Sequence, residues 1–232
     1  MNLHLHLSEV NYILILMTAN RLAPQQTRSR ETLRRLLQAA AEVLEEKGLE
    51  GATIPAIASR ARLSPGSVYR RFRDKDALLR TLMLETLRQT DEHTAGRLTP
   101  DLAAKHSLAE LARSIVASTL KSYRKRAGLL RAFAQFARSH PSAAFRRHVD
   151  EIEISNLRRI VDFLLLKRNE IRHPRPELAL PFALLQLGVA LREMVLLDVL
   201  SEAWSPLLPG NDEELTAELT RAFLNYLAAS PP

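Results

Sequence analysis

A chain of 232 residues with 46% hydrophobic content is long enough to bury a sizeable core, as one domain or two. It has no cysteine, which excludes disulfides and thiolate metal sites, and its seven glycines are few for a large antiparallel sheet. The formal charge of +7 is uneven: residues 1–90 carry 14 basic and 9 acidic side chains, the remainder 19 and 17. A basic first part suits a polyanionic partner, although solubility alone also accounts for it.

The first stretch alternates as LHLHL and then turns apolar as NYILILM. It has no Lys or Arg before Arg21, so it does not read as a signal peptide, and the apolar run is too short to span a bilayer. Residues 1–26 are expected to be an N-terminal arm, disordered or an upstream start, with Met17 opening a more ordinary beginning. From Thr27 to Lys47 the residues Leu33, Leu36, Leu37, Ala40 and Leu44 follow the spacing of one helix face, and Lys47-Gly48 closes that helix. Thr53 caps a second, short helix that tolerates Pro55 in its first turn. Ser64 caps a brief third with Pro65 at its first position, and Asp74 a longer fourth carrying Leu78, Leu79, Leu82 and Met83.

TAGRLTPD, residues 94–101, reads as a break. Beyond it, helices are expected near 105–125, 128–139, 142–169, 176–200 and 211–228. Asn211 with Glu214 forms a capping-box-like start to the last. The fold class is all-α: an N-terminal three-helix helix-turn-helix over 27–74 and a larger helical body over 75–232.

Within LSPGSVYRRF, Val68 and Phe72 are four apart and share a buried face. Gly66, Ser67, Arg70 and Arg71 then fall away from it, with Tyr69 to one side. Arginine forks bond guanine O6 and N7, serine bonds a base or a phosphate, and a bare glycine allows close approach to a groove. Thr53 and Lys75, at the starts of the flanking helices, are placed to clamp the backbone on either side. A solvated basic face would show the same arginines.

Residues 28–88 resemble the N-terminal domain of the TetR family of transcriptional regulators. The match runs through Thr53, Ile54, Ile57 and Ala58, then Ser64, Pro65, Gly66, Ser67, Val68, Tyr69, Phe72, Lys75 and Leu78. The resemblance implies phosphate contacts for Thr53 and Tyr69, a backbone contact for Lys75, and a place in the DNA groove for Pro65, Gly66, Ser67, Arg70 and Arg71. Two positions depart from the family pattern. Arg62 stands in the turn where glycine is usual, and implies strain or an altered turn. Pro55 stands where a polar residue is common.

The resemblance also implies a homodimer through the helices near 176–200 and 211–228, reading a palindromic operator in double-stranded DNA. On the residues alone, Leu184, Leu187, Leu191, Met194, Val195 and Val199, with Leu215, Leu219, Phe223 and Tyr226, serve equally as an internal core. An unidentified small-molecule effector would enter a body pocket whose candidate lining is Phe133, Phe136, Phe145, Phe163, Phe182 and Gln186. No catalytic residue, metal site or cofactor is expected, nor a membrane, and the location expected is cytoplasmic. The implied function is a ligand-responsive regulator, most often a repressor released by its effector. The alternatives are a helical enzyme or a membrane-surface protein with a basic patch. The sequence shows no nucleophile elbow, phosphate loop or cofactor fingerprint.

Overall fold

A computed structural model of the chain describes residues 24–196 and 202–228, so residues 1–23 and Val199 lie outside the described residues. Among the described residues every regular element is helical. Helix α1 spans Pro24–Gly51, and so begins three residues inside the expected arm, a proline supplying a start that needs no amide. Gly48 interrupts it at φ 64° and ψ −171°, and the expected stop at Lys47-Gly48 is a break followed by one further turn.

The next three starts are capped as their side chains dictate. Thr53 Oγ1 accepts from the Ala56 N–H at the head of α2 (Ile54–Arg60). Ser64 Oγ accepts from the Ser67 N–H to open α3 (Pro65–Tyr69). Asp74 accepts from the Ala77 N–H to open α4 (Lys75–Arg97), and that bond, more than Arg73 beside it, holds its carboxyl below the usual range.

The expected break over 94–101 is narrower than its composition suggests. Helix α4 continues through Gly96 to Arg97, because its i−4 bonds persist there, and Thr99 caps a further short helix, α5 (Pro100–Lys105). Ser107 and Glu110 then form a capping box, so α6 runs Leu108–Lys125 rather than from 105. Helix α7 covers Ala127–Ser139 and α8 Ala143–Leu165, short of the expected 169 because the chain tightens into a 3-10 turn at Arg168–Glu170. Helix α9 covers Pro176–Leu191 and widens into a π turn at Arg192–Leu196, ending the expected α-helix early. Helix α10 covers Asp212–Ala228.

Three apolar clusters hold these helices. The first joins α1–α4 to α7 and the start of α8 through Leu36, Ile57, Val68, Leu78, Phe133 and Phe145. The helix-turn-helix therefore shares its core with the body. The second gathers the end of α8 with α6, α9 and α10, and the third packs α6 against the π turn and the start of α10. The segment Pro176–Leu196 is long and apolar enough to cross a membrane by length and composition alone. Ala179, Leu180, Ala183, Leu187 and Leu191 bury one side of it against the rest of the chain.

Candidate nucleic-acid interface

Val68 is fully buried and Phe72 is 8% exposed, so these two side chains pin α3 onto α1 and α2. The opposite side carries Ser64, Pro65, Gly66, Tyr69, Arg70 and Arg71, all exposed, with Ser67 half-buried beside them. Tyr69 is 55% exposed, unusual for an aromatic with no role in packing.

Hydrogen bonds fix this face. Ser64 Oγ and Ser67 Oγ lie 2.9 Å apart, and the Arg70 guanidinium donates to Ser67 Oγ at 2.8 Å. The Arg71 guanidinium reaches back to α1, donating to Ser29 Oγ at 2.9 Å and to the Ser29 carbonyl at 3.0 Å. Arg70 and Arg71 are adjacent but held by different elements. Lys75, expected to meet DNA directly, is half-buried and donates from Nζ to the Leu49 carbonyl at 2.6 Å. It closes the carbonyl end of α1 just after the Gly48 break. Thr53 is exposed, with its hydroxyl engaged as the cap.

The turn between α2 and α3 holds Arg62 at φ 55°, the left-handed backbone that the missing glycine implied. Its N–H donates to the Ser59 carbonyl, and the Leu63 N–H to the Ala58 carbonyl. Arg35 of α1 donates to the Ala61 carbonyl at 2.9 Å. Arg60 contributes little to the basic face, because its guanidinium binds both Glu42 and Glu46. That pairing raises Arg60 and lowers Glu46.

Sequence reasoning missed the junction between this head and the body. The Glu45 carboxylate accepts from the Gly128 and Leu129 N–H groups at 3.0 and 2.7 Å, capping α7 from another helix. A Cβ on Gly128 would sit 2.2 Å from the Glu45 carbonyl oxygen, so only glycine permits this approach. Glutamate on one helix and glycine at the start of another was the only signal available.

The six residues expected to line one pocket are separated. Phe133, Phe136 and Phe145 belong to the first core, where Phe136 and Phe145 pack edge to face at 5.7 Å. Phe163 lies in the second core and reaches an open groove of about 660 Å³ bordered by Leu98, Pro100, Ile154, Ser155 and Arg158. Phe182 and Gln186 are exposed on α9. Strong helical spacing of large apolar residues marks core positions first, and a cavity only where the packing leaves one. Among the described residues no cluster of three His, Asp or Glu side chains is arranged to hold a metal ion.

Three helices with a braced, exposed basic face define a helix-turn-helix protein carried on an all-helical body. Residues 36–82 match the family model of bacterial regulatory proteins, tetR family. The chain is 29% identical over 123 residues to the HTH-type transcriptional regulator UidR of Escherichia coli K12, a stretch covering 53% of this chain and 61% of that one. It is 39% identical over 62 residues to the regulator BetI of Paraburkholderia phytofirmans, covering 27% and 32%. The chain thus matches less than two thirds of the length of these relatives. Among solved structures, a TetR-family transcriptional regulator from Mesorhizobium loti superposes with a TM-score of 0.63 at 23% identity, over 87% of this chain and 99% of that one. FadR from Bacillus subtilis, solved with stearoyl-CoA, superposes at 0.57 and 20% identity over 85% and 98%. The helix-turn-helix unit belongs to the TetR family, and the whole chain has the fold of that family's solved members.

Proposed function

We propose that this chain is a DNA-binding transcriptional regulator, a repressor that binds a palindromic operator as a homodimer and leaves it when a small molecule occupies the helical body. The observation that carries this reading is the braced face of α3, where Ser67 orients Arg70 and Ser29 orients Arg71. Arg70 and Arg71 are the base-reading forks, with Pro65, Gly66 and Ser67 at the groove floor. Tyr69 and Thr53 contact phosphates, and Lys75 supports the backbone contact through α1 as much as it makes one. The split at residues 74–75 divides reading head from sensing body. The cytoplasm is the compartment that holds such DNA.

Two heads in a dimer set the recognition helices about 34 Å apart, or a multiple, matching two half-sites. Effector binding would favour a separation that no longer fits. Selection of duplexes from a random pool by the purified protein tests the reading. A palindromic consensus, bound more tightly than random duplex and weakening steeply with salt, is the expected result. Equal affinity for every duplex would leave only a basic surface.

A further inference from the structure

The open groove of about 660 Å³ runs between the α4–α5 corner and one face of α8. Its volume lies within the ~300–1,000 Å³ of small-molecule sites. Leu98 and Pro100 line it from the corner, and α8 lines it with Glu151, Ile154, Ser155, Arg158, Asp162 and Leu166. These six positions recur every three or four residues, so they form one stripe of the helix. The buried Phe163 borders the groove beside them. Ile154 is 47% exposed and Leu166 56%, so two large apolar side chains stand in water within one concavity.

Four charges border the groove, and two are already engaged. Arg159 donates to the Asp91 carboxylate of α4 at 3.2 and 3.4 Å, and Glu151 has the His148 ring at 3.3 Å. Arg158 and Asp162 remain. They stand one turn apart, yet they form no hydrogen bond or ion pair with each other or with any other described residue. An arginine four residues before an acid is the weaker order for pairing on a helix. Asp162 also stands in the last turn of α8, where the negative helix end disfavours a carboxylate. Neither side chain serves the packing of α8, since both are exposed. The groove thus presents an unpartnered guanidinium and an unpartnered carboxylate side by side, with apolar surface on either hand.

We propose that this groove binds a free α-amino acid with a large apolar side chain, its carboxylate on the Arg158 guanidinium and its ammonium on the Asp162 carboxylate. The guanidinium fork matches a carboxylate with two parallel bonds, and an ammonium offers three donors to an acceptor-only group. Both charges of an α-amino acid sit on one carbon, so partners a single turn apart, about 5.4 Å along the helix, take both at once. Leu166 stands one turn beyond Asp162 and Ile154 one turn before Arg158, which leaves the apolar side chain a wall on either side. A carboxylic acid without the ammonium leaves Asp162 unpaired and repelling it, and an amine without the carboxylate does the same with Arg158. This names an effector class for the body and rests on the regulator reading above.

Calorimetric titration of the full chain tests it without DNA. L-phenylalanine is compared with 3-phenylpropanoate, which lacks the ammonium, phenethylammonium, which lacks the carboxylate, and L-alanine, which lacks the ring. Phenylalanine is expected to bind at least tenfold more tightly than any of the three and to raise the Tm. Arg158→Gln and Asp162→Asn should each cost about tenfold or more in that affinity. Both positions are exposed, so the unliganded Tm should stay near that of the parent. If one variant does not fold, the other carries the same expectation. No binding of phenylalanine, equal binding of any of the three controls, or an affinity indifferent to these substitutions would overturn the proposal. Phenylalanine binding that leaves DNA affinity unchanged would uphold the groove and count against the regulator reading alone.

Discussion

Arg62 shows what one side chain costs in a turn. A residue with a Cβ in the left-handed region carries about 1–2 kcal/mol of steric penalty that glycine avoids. Arg62→Gly is therefore expected to stabilise the chain by about 0.5–1 kcal/mol after the entropy of a freer unfolded glycine is charged against it, read from urea unfolding. A loss of stability would mean that the arginine side chain itself holds the turn. Positions like this one were legible in the sequence, because capping and turn chemistry are local. Thr53, Ser64 and Asp74 each bond an N–H three residues on, and their identity alone points to the role. Arg71 and Lys75 were not fully legible. Their partners, Ser29 and Leu49, lie 42 and 26 residues away, and only the packing of α1 decides that they meet.

At the scale of helices, amphipathic spacing located most elements but not their joints. The box at Ser107 and Glu110 moved a start, and the π turn ended an α-helix where the apolar pattern continued. A stripe of leucines reports burial and leaves open which helix covers it. The junction of α1 with α7 was invisible for the same reason. Gly128→Ala would drive a methyl into the Glu45 backbone and force the helices apart, breaking the two bonds to the Glu45 carboxylate. We expect a loss of about 1–3 kcal/mol, as for other overpacked contacts, measured by thermal unfolding. An unchanged Tm would show that α1 and α7 are free to separate.

For the whole molecule, the apolar surface left over is informative. The leucines thought to serve a partner or a core are divided by the structure: Leu184, Leu187, Leu191 and Val195 pack within the chain. The exposed row is instead Leu178, Phe182, Leu185 and Val189, between 42% and 58% exposed and following one face of α9. Phe182 lies 5.6 Å from the Tyr226 ring of α10, so both helices border this patch. A symmetric pairing through it is the dimer contact we expect, and Leu185→Glu should yield monomers in sedimentation and lose operator binding, with helicity retained. A dimer that survives would place the interface elsewhere. Helix α1 ties this assembly together in a further way. It is fastened to α7 through Glu45 and to the α3 segment through Ser29, sixteen residues apart, or about 24 Å at 1.5 Å per residue. Between those fastenings the helix is unbroken, so it behaves as a connecting rod rather than a hinge. A small shift at the mouth of α7 arrives at Arg71 as a displacement of the whole rod. The guanidinium we propose as a base reader is thereby tied to a carboxylate that never approaches it.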